Sequence, residues 1–321
     1  MSSAISSIPA ARRRFSSALA ATVLAGSLAA GSAAPVAAQE EVRSVVVTTE
    51  VLGSVVSQLV GDAGDVSVIM PSGANPHSYE PSARDAERML NADVLVSNGL
   101  DLEEALVAVL ESAGSEGVTW FQAADHIAAL DLEEGDHDEV DDETETHDHD
   151  AEDPHIWTDP LVMRDVVTAL QPVLAQAGID VSSGAGTLIA DLELLDAEAD
   201  EVLSAVPEED RKLVTGHRSL GYFADRYGFE LIGTVIPSLS TSGEPTAREM
   251  AQLIDDIRTN DVSAVFTEVG TPQSVAQAVA SDSGAELVSL STSQLPDGGT
   301  YQDLIRDIAN TVADALAPQA R

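Results

Sequence analysis

No cysteine occurs among the 321 residues. That excludes a disulfide framework, Cys-ligated zinc, an iron–sulfur cluster, a thiol nucleophile and a lipid-modified N-terminal cysteine. Basic residues are scarce, 15 Lys and Arg against 55 Asp and Glu for a net charge of −40. Phosphate affinity comes from Lys and Arg, so this balance argues against nucleic acid and against an anionic membrane surface. With only 11 aromatic residues there is little material for a base-stacking platform. The sequence also lacks HExxH, GxSxG, GxxxxGK[ST] and a strand-to-helix GxGxxG. An acidic surface suits solubility and attracts cations.

Residues 1–38 read as an export signal. Arg12, Arg13 and Arg14 form a positive start, a small-residue apolar stretch runs from Phe15 to Ala30, and Val36-Ala37-Ala38 offers a cleavage site. The Arg run also has the look of a twin-arginine signal. Removing it would leave 12 basic residues against 55 acidic ones, a net of −43. No later segment is apolar enough to span a bilayer. The expectation is an exported chain, periplasmic or at the cell surface, with no membrane insertion after processing.

Beyond the signal, β-branched runs alternate with helical patterns in two stretches. The first has strands at Ser44–Thr48, Val66–Met70 and Asp93–Ser97, with helices at Glu50–Val60 and Ser82–Leu90. The second has strands at Lys212–Thr215, Leu231–Ile236, Ala264–Glu268 and Glu286–Leu290, with helices at Ser219–Tyr227, Ala247–Thr259 and Gln273–Ser281. Such alternation implies parallel sheets covered by helices, an α/β fold. Between the stretches, Leu188, Leu192, Leu195, Ala199 and Val202 recur at three- and four-residue spacing among acids. This reads as one long rigid helix over 181–207 joining an N-terminal lobe (39–180) to a C-terminal lobe (208–321). Asp131–Asp153 stands apart, with 14 acids and three histidines in 23 residues. It has nothing to bury and is expected to be a mobile acidic loop.

Histidine placement carries the chemistry. His77 lies in PSGANPHSYEP just past a strand, His155 in DPHIWTDP after the acidic loop, and His217 in TGHRSLGY directly after the KLVT strand. In open α/β sheets ligands gather outside the carboxyl ends of strands. Three neutral imidazoles meeting there would hold a borderline cation such as Zn²⁺, whereas Mg²⁺ and Ca²⁺ want oxygen cages. Spacing across 140 residues does not itself establish that they meet. Each taken alone is as well read as a capping or surface residue.

The export signal followed in order by PxGxxPHxYEP, DPHIWTDP, TGHRSLGYFADRYG and VFTEVGTP resembles the metal-binding solute receptors of zinc and manganese ABC importers (the ZnuA/TroA-like family) over essentially the whole mature chain. The resemblance implies two α/β lobes joined by one helix, with His77, His155 and His217 ligating a cation between them. It implies a binding protein, not an enzyme, that hands Zn²⁺ to an ABC transporter permease. Manganese receptors of this family usually carry Glu where His217 stands, so zinc is expected over Mn²⁺. Many relatives place a carboxylate just after the last strand, where this chain has Ser289-Leu290-Ser291-Thr292. The fourth ligand is left open between Asp297, Glu268 and water.

Other readings of the same residues stand beside this one. Three His plus a water also describe a zinc-dependent hydrolase, with Glu268 as the base. Asp153, Asp159 and Glu268 are candidates to orient the ligand imidazoles. His137, His147 and His149 in the acidic loop suit loose cation capture, while His126 reads as structural and Tyr79, Trp157 and Tyr222 as packing around the site and not as ligands. Motion on binding is expected in loops around His77 and in the acidic insert, because a continuous helix bends little.

Overall fold

The computed structural model describes residues 42–130 and 152–317. The export signal and most of the acidic loop, including His137, His147 and His149, lie outside the described residues.

The first half builds one four-stranded sheet from β1 (Ser44–Val47), β2 (Asp65–Val68), β3 (Val94–Ser97) and β4 (Thr119–Gln122). All neighbours are parallel, in the order β2-β1-β3-β4. Helices α1 (Glu50–Val60), α2 (Ala83–Leu90) and α3 (Val107–Glu116) make the crossovers. The starts are set locally: Thr49 caps α1 by accepting from Leu52 N–H, and Ser82 with Asp85 forms a reciprocal capping box on α2.

The second half contains β5 (Lys212–Thr215) paired with β6 (Glu230–Thr234), and β7 (Ala264–Thr267) paired with β8 (Glu286–Ser289), both parallel. β5 and β7 lie side by side, but no hydrogen-bonded ladder joins them, so the described strands of this half form two two-stranded sheets. Helices α6 (Gly221–Tyr227), α7 (Ala247–Thr259) and α8 (Gln273–Ser283) connect these strands. The chain passes from the first half to the second through α4 (Pro160–Gln176) and α5 (Ser182–Leu203), and closes with α9 (Tyr301–Leu316). α5 has 22 residues, about 33 Å of helix at the standard rise. Its apolar stripe of Leu188, Leu192, Leu195 and Leu203 is buried against α4 and α9.

Successive residues of a strand face opposite ways, and the burial follows that period of two. Val45 and Val47 of β1, Val94 and Val96 of β3, Leu213 of β5, and Ala264 and Phe266 of β7 all enter one large apolar cluster with α1, α4, α5, α6 and α9. Val46 and Leu95 face the other way, onto α2 and α3. Val214 and Val265 face α7 and α8. Strands covered on both faces need apolar residues at every position, which is why they read as continuous β-branched runs. The two halves share the middle layer. No helix of the described residues is long and apolar enough to cross a membrane.

Candidate metal centre

The carboxyl ends of the strands from both halves converge on one place. After β2 the chain makes the turn that holds His77. After β5 it runs Gly216-His217, after β7 it places Glu268, and after β8 it brings Thr292. His155 precedes a single 3-10 turn (Ile156–Thr158) that leads to Asp159, the N-cap of α4.

The three histidines meet. His155 Nε2 lies 3.2 Å from His77 Nε2 and 3.1 Å from His217 Nε2. All three are buried, at 6%, 1% and 4% exposure for His77, His155 and His217. This is the one group of three or more ligand-capable side chains found among the described residues, with ligating atoms within 4.8 Å of one another. Tetrahedral Zn²⁺ with Zn–N near 2.0–2.1 Å separates its nitrogens by roughly 3.3–3.4 Å, close to the observed spacings.

The far side of two rings fixes their protonation. Asp153 Oδ1 lies 2.7 Å from His155 Nδ1, and Glu268 Oε1 lies 2.8 Å from His217 Nδ1. The His217 ring Nδ1 and Glu268 are thus paired by close electrostatic contact without a hydrogen bond between them. A carboxylate at Nδ1 holds the proton there and leaves Nε2 with a lone pair. His155 and His217 therefore aim two lone pairs at each other across 3.1 Å, an arrangement that a shared cation makes favourable.

Glu268 is held on both oxygens. Ser219 Oγ donates to Oε1 at 2.9 Å and Oε2 at 2.7 Å, His217 N–H donates to Oε1 at 3.1 Å, and Thr292 Oγ1 donates to Oε2. Burial alone would push this carboxyl up, but the facing His217 and the hydrogen bonds from Thr292 and Ser219 outweigh it and hold it at about 2. Burial, and then the two neighbouring imidazoles, drive His77 down to about 3, against a smaller opposing pull from Glu268. The His77 ring is neutral at pH 7, as a ligand must be.

Two glycines allow this closeness. A Cβ on Gly221 would lie 2.1 Å from Asp153 Oδ2, and one on Gly216 would lie 2.0 Å from Thr271 Oγ1. Both sit in the TGHRSLGY segment that carries His217. The start of α6 is thus pressed against the carboxylate that orients His155. α6 is tied in turn to α5, where Asp196 accepts from both Nε and Nη2 of Arg226.

Of the three carboxylates considered for orienting ligands, Asp153 and Glu268 do so. Asp159 instead caps α4, accepting from Leu161 N–H at 2.7 Å and Val162 N–H at 3.4 Å. Asp297 is exposed in the turn before Gly298, whose φ is +68°, and is not among the residues lining the cleft. The cleft of about 210 Å³, measured with the part open to solvent, is lined by Asn75, Pro76, Trp157, Val269, Thr292 and Ser293 besides the histidines. No carboxylate belongs to that lining. Thr292, at the place where relatives were expected to carry an acid, supports Glu268 instead. Asn75, Ser219 and Thr292 went unread as site residues. Their signal lay only in their nearness to His77, to His217 and to the end of the last strand.

Trp157 Nε1 donates to Thr292 O at 2.7 Å, Tyr222 Oη accepts from Leu130 N–H at 3.0 Å, and Tyr79 Oη donates to Asp85 at 3.0 Å. His126 stacks on Phe121 with centroids 4.4 Å apart.

Against known proteins, residues 45–315 match the family model described as "Zinc-uptake complex component A periplasmic". The manganese-binding lipoprotein MntA of Halalkalibacterium halodurans is 28% identical over 85% of this chain and 88% of its own length. The high-affinity zinc uptake system protein ZnuA of Bacillus subtilis is 27% identical over 81% and 83% respectively. Among solved structures, the periplasmic zinc-binding protein TroA of Treponema pallidum superposes with a TM-score of 0.73. It has 24% identity and covers 86% of this chain and 100% of that one, a likeness of fold.

Proposed function

The chain belongs to the family of zinc-uptake complex component A, metal-binding receptors of zinc and manganese ABC importers, and we propose that it captures Zn²⁺ between His77, His155 and His217 and delivers it to an ABC permease outside the cytoplasmic membrane. The observation that carries the reading is the convergence of the imidazole Nε2 atoms at 3.1–3.2 Å, with Asp153 and Glu268 occupying the opposite nitrogens of two of them. Lone pairs so arranged are a cation's ligand set.

Zinc is favoured over Mn²⁺ by the donor chemistry. All three side chains offer imidazole nitrogen, which suits Zn²⁺, and no carboxylate lines the cleft to suit a harder ion. A water completes the tetrahedron in this reading. The hydrolase alternative has no support: family members are transport receptors, and Glu268, the base it would need, has both oxygens engaged. Relatives named lipoproteins differ in one respect, since this sequence holds no cysteine to lipidate. In the same reading, 39–180 and 208–321 are the lobes, 181–207 joins them, and release proceeds through loops instead of a wide hinge.

The test is elemental analysis of the purified protein with competition titration against a chelator, for both Zn²⁺ and Mn²⁺. One tightly held Zn²⁺ per chain, lost in His217→Ala, is the expected result. Unchanged Zn²⁺ affinity in that variant, or tighter binding of Mn²⁺, would overturn it.

A further inference from the structure

His77 differs from the other two imidazoles in how it is held. His155 and His217 each have a carboxylate at Nδ1, whereas no such partner faces His77 among the described residues. What fixes the His77 turn is Asn75. Its Oδ1 accepts the His77 backbone N–H at 3.1 Å, and its Nδ2 donates at 2.7 Å to Thr241 Oγ1, which lies 166 residues away in the segment between β6 and α7. One amide thus grips the ligand turn at one end and the opposite half of the molecule at the other.

The fit around that bond leaves no slack. Gly270, with φ of +91°, lies against it, and a Cβ there would come within 2.6 Å of Thr241 Cγ2 and 2.8 Å of Asn75 Nδ2. A second, weaker tie runs from Gln294 Nε2 to Gly73 O at 3.1 Å. Within itself the turn is held by Ala74 N–H to Pro71 O at 3.1 Å and Ser78 N–H to Asn75 O at 3.3 Å. A cleft of about 290 Å³, including its solvent-open part, flanks it between Val51, Met70, Ala74, Pro76, Trp157 and Ser293. Two ligands are therefore braced by buried carboxylates, and the third sits on a turn with space beside it and one short side-chain bond across the gap.

We propose that the Asn75–Thr241 hydrogen bond is the latch that keeps His77 in the ligand set, so that Thr241, which does not touch the cation, governs the rate at which the cation leaves. This rests on the reading that the three imidazoles hold Zn²⁺. With the latch broken, the His77 turn moves away from the other two imidazoles and leaves the ion on His155 and His217. A partner that displaces the segment between β6 and α7 would release cargo without bending the shared core.

The experiment is stopped-flow release of Zn²⁺ from the loaded full-length protein into excess chelator, with capture measured separately. Losing one neutral hydrogen bond in T241V should speed release roughly three- to tenfold and leave capture unchanged. T241S, which restores the hydroxyl, should release at the wild-type rate. G270A, which keeps both partners but forces them apart, should behave as T241V does. Wild-type release in both T241V and G270A overturns the latch, as does T241S releasing as fast as T241V, because T241S keeps the hydroxyl that T241V lacks. If His77→Ala holds and releases Zn²⁺ as the wild type does, the three-imidazole site falls and the latch with it.

Discussion

Asp153 Oδ1 accepts two hydrogen bonds from His155, one from ring Nδ1 at 2.7 Å and one from the backbone N–H at 2.9 Å. A single oxygen therefore sets both the tautomer of the ring and the position of its backbone. Asp153→Asn keeps the shape but removes the charge that strengthens the ligand nitrogen. Zn²⁺ affinity should fall about 10- to 100-fold, measured by chelator competition at pH 7, with little change in thermal stability of the metal-free protein.

Gly221→Ala should mimic that loss from the other side. Its Cβ would sit 2.1 Å from Asp153 Oδ2, so either α6 or the carboxylate must shift. Overpacking of this kind costs about 1–3 kcal/mol. The metal-free melting temperature and Zn²⁺ affinity should both drop, and an unchanged affinity would mean that the Asp153–His155 contact is not needed.

The metal-free protein should weaken as pH falls below about 6.5. In the folded state His77 is neutral down to about 3, while in the unfolded chain it takes up a proton near 6.5. Between those values the unfolded state binds more protons, so stability falls with pH through that window. At pH 5 the contribution from His77 is about 2 kcal/mol by the 1.36 kcal/mol per unit rule. Glu268, held at about 2, adds a loss of the same sign below its ordinary range. Urea unfolding at pH 7 and pH 5 should differ less in His77→Asn than in wild type.

Capture should depend on salt and on the acidic insert. A net charge of −40 raises the local concentration of cations, and salt screens that field. Deleting 136–150 should slow Zn²⁺ capture at low salt, narrow the difference at high salt, and leave the tight site intact. Loss of the tight site in the deletion would mean that the insert supplies a primary ligand.

The three histidines that meet were legible as candidates because each stands in a turn beside Pro or Gly, next to a recognisable strand or a charge run. The helix at 182–203 was legible from its leucine spacing. α3, β4, α4 and α9 were not picked out. α4 carries Pro172 in its interior, and α9 buries nine of its sixteen residues, so its polar face is narrow. The choice among Asp153, Asp159 and Glu268 was not legible either, because Asp153 and Asp159 both lie within four residues of His155 while Glu268 lies 51 residues from His217, and only packing decides which meets a ring. Thr241 and Asn75 are 166 positions apart, and nothing local to either announces the other.

The apolar layer common to both halves has a thermodynamic consequence. No seam divides Val45 and Phe121 on one side from Phe223 and Leu304 on the other, so the molecule should melt in a single cooperative step, with calorimetric and van't Hoff enthalpies equal. The rise in melting temperature on adding a cation would then read out its dissociation constant directly through mass action.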